Sequence, residues 1–110
     1  MKPGVTEELP FGPDTLVFKV MGKVFAITGL EVFEFINLKC DPDRAVELRE
    51  QYDSIRPGYH MNKRLWNSVY PEAGARLIKE LIDHSYELIV ASLPKKLQVE
   101  LSDLEDSQSG

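Results

Sequence analysis

The chain has a single cysteine, Cys40, which excludes an internal disulfide and a zinc site built on several thiolates. No apolar run is long enough to cross a bilayer, and no basic stretch leads into an apolar export core. A cytoplasmic protein is therefore expected. Gly12, Gly22 and Gly29 are too dispersed to form a phosphate-cradling loop. The two histidines, His60 and His84, lack a second His or Cys at ligand spacing, so no metal site is expected. Ser85 has no glycine elbow around it, which argues against a hydrolase nucleophile. Glu7, Glu8 and Asp14 lack the further regular acidic positions of a calcium loop and read as a solvated acidic lead-in. Cys40 shares a face with Ile36 and Leu38, which points to a buried core thiol rather than a nucleophile. For catalysis, His60 with Asp41 or Asp53 is the one pair that suggests itself, and nothing in the spacing demands it. The expectation is a non-catalytic protein without a cofactor.

What is present is enough for one domain. A chain of 110 residues at 43% hydrophobic content can bury a modest core, but two domains would be cramped. The net charge of -5 argues at first against a nucleic-acid partner. Its distribution changes that inference. Glu100, Asp103, Glu105 and Asp106 lie beyond residue 99 with no base among them, so the rest of the chain is close to neutral. Residues 98–110 are polar and offer two leucines, and they read as a disordered acidic tail behind a single domain over 1–97.

Pro10, Gly12, Pro13 and Asp14 read as a turn-rich opening. Leu16–Met21 and Lys23–Thr28 read as two strands closed by Met21-Gly22, since glycine accepts positive φ freely. Phe33–Cys40 reads as a third strand, with Ile36, Leu38 and Cys40 on one face and Phe35, Asn37 and Lys39 on the other. The period then becomes helical. Asp41 caps a helix over Pro42–Tyr52, and Pro42 suits its first position. Leu65–Tyr70 reads as a fourth strand. The stripe Leu77, Ile78, Leu81, Ile82, Ser85, Leu88, Ile89 and Leu93 predicts a helix from Ala73 to Leu93, with a break near Ser85 and a stop at Pro94. The class is α+β: a small, mainly antiparallel sheet with helices on one face.

One segment stands out chemically. Residues 54–71 contain Arg56, Lys63 and Arg64 and no acid. Tyr59, His60, Asn62, Trp66 and Asn67 are interleaved with them. Cations neutralise phosphates, aromatic planes stack on bases, and amide tips read base edges. Lys19, Lys23 and Lys39 extend the surface if their strands lie alongside. The ordinary structural explanation is a loop of solvated cations with Tyr59 and Trp66 packed into the core.

Pro3-Gly4-Val5-Thr6-Glu7-Glu8, Phe18-Lys19-Val20-Met21-Gly22-Lys23, Asn37-Leu38-Lys39-Cys40-Asp41-Pro42, Pro57-Gly58-Tyr59-His60-Met61-Asn62-Lys63 with Trp66-Asn67, and Leu93-Pro94-Lys95-Lys96 occur in that order. Together, from Pro3 to Leu97, they resemble the MmcQ/YjbR family of small bacterial proteins. The resemblance implies a CyaY-like (frataxin-like) two-layer sandwich. It also implies double-stranded DNA binding through a double-winged sheet, without catalysis or cofactor. The matching positions would place Lys19, Lys23, Asn37, Lys39, Tyr59, His60, Asn62, Lys63, Trp66 and Asn67 on that surface, with Arg56 and Arg64 beside them. The alternative is a small-ligand or protein-interaction module, with a polar-aromatic pocket around Asn37, Lys39, His60, Asn62 and Trp66. The family pattern also implies a helix before Pro3, where this chain has only Met1 and Lys2. If that is the native length, an uncovered apolar strip predicts a homodimer or larger assembly.

Overall fold

The computed structural model describes residues 2–10, 12, 14–29 and 34–109, with side chains as far as Leu104. Its centre is the hairpin of β2 (Thr15–Val20) and β3 (Lys23–Gly29). Met21 and Gly22 turn between them with φ of 49° and 85°, the left-handed pair that suits a tight hairpin. A register shift at Phe18/Lys19 sets Lys19 opposite Val24 and Phe18 opposite Ala26.

A strand absent from the sequence reading comes first. Val5–Glu8 forms β1 and pairs antiparallel with β2. Its pattern of one apolar residue and two carboxylates is that of an exposed edge, where charge discourages further pairing. β4 (Ile36–Lys39) pairs with β3, and it is shorter than the expected Phe33–Cys40. Phe33 lies outside the described residues. α1 (Pro42–Gln51) begins as expected: the Asp41 carboxylate accepts from the amides of Asp43 and Arg44, each at 3.2 Å.

Next comes another unanticipated strand, β5 (Ile55–Pro57), which pairs with β6 (Trp66–Val69). Three residues ending in proline leave little strand signal, and proline is tolerated because β5 is an edge. The sheet order is β1-β2-β3-β4-β6-β5, with every neighbouring pair antiparallel.

After a 3-10 turn at Pro71–Ala73, α2 runs from Ala75 to Ser92. It runs unbroken through Ser85. The Ser85 hydroxyl donates to the Phe25 carbonyl at 2.6 Å and accepts from the Lys39 amide at 2.9 Å. It serves the neighbouring strands instead of competing with its own helix. The disordered tail is also corrected, and with it the boundary at residue 97. Lys95–Ser109 is a third helix, α3, and Leu101 is 2% exposed within the core. Two leucines in a polar stretch gave too weak a stripe to announce this, because one buried contact suffices to dock the helix.

The register decides which side chains share a face. Ala26 stands opposite Leu38, and Leu38 opposite Asn67. Ile36 stands opposite Val69, and Val69 opposite Ile55. With Val20 and Phe25, these apolar residues form the core with Ala45 and Leu48 of α1 and Leu81, Tyr86 and Ile89 of α2. The intervening rows face away from the helices. One contains Val17, Ile27, Asn37, Ser68 and Arg56, and beyond it Lys19 stands opposite Val24 and Lys39 opposite Trp66. The fold is a two-layer α+β sandwich with an open sheet face.

Candidate functional site

Among the described residues, no helix covers the open face. The segment between β5 and β6 folds across part of it, held by a buried polar network. Ser68 donates to the Asn37 side-chain oxygen at 2.5 Å, and Asn37 Nδ2 donates to the Tyr59 carbonyl at 3.1 Å. The Tyr59 amide in turn donates to Ser68 Oγ at 2.9 Å. Asn37 and Ser68 are 6% and 1% exposed, so each polar atom depends on this circuit for a partner. Gly58 brings the segment close to the sheet. A Cβ there would lie 2.8 Å from Trp66 Cβ and 3.0 Å from the Trp66 carbonyl oxygen. At its far end, Asn62 accepts from the Arg64 amide through its side chain. Its carbonyl accepts from the amides of Leu65 and Trp66. Arg49 of α1 braces the same segment by donating to the carbonyls of Lys63 and Trp66 and to Asn67 Oδ1.

Between this segment and the sheet opens a cavity of about 800 Å³. Thr15 comes from β2, Ile27, Thr28 and Gly29 from β3, and Asn37 from β4. Tyr59, His60 and Met61 line it from the crossing segment, and Asp14, Glu34 and Phe35 complete it. The Phe35 and Tyr59 rings meet edge to face at 5.9 Å, and Phe35 also meets Tyr70 at 5.3 Å. His60 sits against Tyr59 at 4.1 Å, with its backbone at φ 59°, an uncommon left-handed conformation for a residue with a side chain. The shape is concave and largely apolar, with a few fixed polar groups. That composition suits a small molecule.

The residues singled out from sequence divide into groups. Asn37, Tyr59 and His60 line the cavity. Lys19, Lys39 and Trp66 lie on the open face beside it, and Lys19 is paired with Glu8 at 3.2 Å. Arg56, Lys63 and Arg64 are exposed on or beside the crossing segment, with the Arg56 guanidinium 5.0 Å from the Tyr70 ring centroid. Asn62 is a turn residue. Two placements are corrected. Lys23 lies on the helix side, where its ammonium reaches Ser92 Oγ at 2.7 Å. Asn67 also faces the helices, 2% exposed and bonded to Arg49, so it cannot read a ligand on the open face. Both errors follow from register: neither residue shares the parity of Asn37 and Lys39 across the observed pairing.

Sequence reasoning missed Asp14, Thr15, Ile27, Thr28, Glu34, Phe35 and Met61. Phe35 carried a signal, since it shares strand parity with Asn37 and Lys39 opposite the core face. The others are unremarkable until β2 and β3 are set beside the crossing segment.

Among the described residues, Cys40 and His84 are perturbed, and both lie on the helix side. Burial pushes the Cys40 thiol up, opposed by the nearby Arg44 charge, and leaves an unreactive core thiol. Burial, with Arg44 assisting, holds His84 below the ordinary imidazole value. His84 Nε2 accepts from the Asp41 amide at 3.3 Å and so steadies the start of α1. Among the described residues, no hydrogen bond or ion pair joins His60 to Asp41 or Asp53.

Comparison with known proteins bears on the whole domain. The family model described as YjbR matches residues 1–88. The uncharacterized protein YbdF of Escherichia coli O157:H7 is 47% identical over 92 residues, covering 81% of this chain and 75% of that protein. The uncharacterized protein YjbR of Escherichia coli K12 is 33% identical over 106 residues, covering 91% and 90%. Among solved structures, Deinococcus radiodurans protein DR2400, a DUF419 domain, superposes with a TM-score of 0.83 at 37% identity. That match covers 92% of this chain and 80% of the other. A Pseudomonas syringae protein superposes with a TM-score of 0.64 at 30% identity, covering 76% and 86%.

Proposed function

The chain belongs to the YjbR family, and we propose that it is a non-catalytic binding module whose open sheet face takes a small molecule. The observation that carries this reading is the cavity of about 800 Å³ held open by the Asn37–Ser68–Tyr59 circuit. A buried, fully paired polar network specifies one arrangement of a surface segment, and a pre-arranged site binds at lower entropic cost. Apolar walls from Ile27, Phe35 and Met61 supply contact area, while Asn37 and Thr15 supply orientation. Backbone-amide NMR with a library of small water-soluble compounds tests it. Shifts that cluster at Thr28, Asn37 and Met61 are expected. Hits that map consistently to another surface would overturn it.

A second reading, double-stranded DNA binding, is supported by exposed Arg56, Lys63 and Arg64 in a window without acids. Phosphates would track this ridge and Lys39, outside the cavity, and affinity would fall steeply with salt. Charge reversal at Lys63 and Arg64 should weaken binding equally across sequences, because backbone contacts carry no sequence information. Mobility shifts unchanged in that double variant would exclude this surface. The antiparallel sheet under one helical layer supports the frataxin-like description of the fold. The lone buried thiol supports a cytoplasmic setting.

A further inference from the structure

We propose, resting on the small-molecule reading, that the cavity selects an organic cation: an amine or quaternary ammonium carried on an apolar body. Asp14 and Glu34 line the cavity and are solvent-exposed, which places them at its mouth, and no lysine or arginine is among the described residues that line it. Two cations on this side of the sheet have other contacts. Lys19 pairs with Glu8 at 3.2 Å, and the Arg56 guanidinium lies over the Tyr70 ring. An anionic ligand would meet two carboxylates without a compensating cation, whereas a cation would be drawn toward the mouth.

The walls point the same way. Phe35 and Tyr59 meet edge to face at 5.9 Å, and Tyr59 is 59% exposed, so aromatic surface remains available beside the carboxylates. An aromatic face attracts a cation through its quadrupole, most strongly when part of the ion's hydration is removed. Ile27 on the sheet and Met61 on the crossing segment offer apolar surface for the rest of the molecule. Met61 adds a flexible thioether that adapts to ligand shape. Carboxylates outside, aromatic rings beside them and aliphatic walls beyond match a positive head on an apolar body.

Three probes share a phenyl body and differ in head charge: phenethylammonium, 2-phenylethanol and phenylacetate. Each is titrated into the full chain at near-neutral pH and followed by the amides of Thr28, Asn37 and Met61. Phenethylammonium should bind about tenfold tighter than the alcohol, and phenylacetate weakest. The advantage should shrink as salt is raised. It should disappear in the Asp14→Asn, Glu34→Gln double variant, which should still bind the alcohol. Both positions are exposed, so the variant is expected to fold. If the alcohol or phenylacetate binds at these amides as tightly as the amine, the cavity reading stands and the cation proposal falls. A persistent cation advantage in the double variant overturns the proposal as well. If none of the three moves these amides at millimolar concentration, both readings fall.

Discussion

Ser85 joins the two layers directly. It has no exposure, donates to a β3 carbonyl and accepts from a β4 amide. Orderly pairing of β3 with β4 ends at Ala26 and Leu38, so the hydroxyl replaces a ladder bond that the strands no longer make directly. Ser85→Ala leaves a buried donor and a buried acceptor without partners. Unfolding in urea should show a loss of about 1–3 kcal/mol. A loss below about 0.5 kcal/mol would mean that water or strand relaxation fills the gap.

His84 makes a prediction about pH. Its folded-state value is lowered, first by burial and then by Arg44, against the opposing pull of Asp41, Glu87 and Glu80. A lowered value means that the fold prefers the neutral ring. The unfolded chain therefore takes up this proton first as pH falls below the ordinary imidazole value of 6.5. Stability linked to this ring is complete above that pH and is lost as pH falls toward the folded value. Protonation would also end acceptance from the Asp41 amide. His84→Gln removes the titration, so its Tm should fall less than that of the parent between neutral and mildly acid pH. Parallel Tm curves would show that His84 makes no contribution to acid sensitivity.

At the scale of elements, α3 changes the account of the chain's end. Leu101 reaches toward Gly4 and Met21: a Cβ on Gly4 would lie 2.7 Å from Leu101 Cδ1 and 3.1 Å from Met21 Sδ. Gly4 also has φ of 72°, so this close approach suits a residue without a side chain. The helix thus packs on the end of the sheet where β1 and β2 meet the β2–β3 turn. Leu101→Ala should cost about 2–5 kcal/mol by denaturant unfolding. Leu104, 42% exposed on the same helix, should cost less than about 0.5 kcal/mol as alanine. Equal small losses at both positions would mean that α3 does not dock.

At the scale of the molecule, the sheet separates two kinds of organisation. Its helix face is an apolar core, and its open face carries the polar circuit and the cavity. The β1–β2 end, where Leu101 packs, and Ser68 on β6 lie on opposite faces and are separated by β3 and β4. Leu101→Ala and Ser68→Ala share no partner, so their stability losses should add within about 0.5 kcal/mol in the double variant. A larger coupling would show that the open-face circuit and the core are mechanically linked through the sheet.

Local, periodic features were legible in the sequence. The Met21-Gly22 turn, the Asp41 cap, the α2 stripe and burial of Cys40 each follow from neighbouring residues and a period. β1 and β5 were not legible, because short edge strands gain their stability from a partner strand. The docking of α3 depends on one leucine meeting residues almost a hundred positions earlier, and no local period encodes that contact. The composition of the basic, aromatic segment could not distribute its side chains between faces. Register did that: parity placed Asn37 and Lys39 on the open face and sent Lys23 and Asn67 to the other. The cavity also brings Asp14 and Glu34 together with Tyr59 and Met61 through strand pairing across the sheet. The sequence by itself determined the α+β class, the core stripe and the chemical character of the 54–71 segment, because these depend on composition and period. Only the tertiary structure decided which of those side chains face a common space, because that depends on pairing between distant strands.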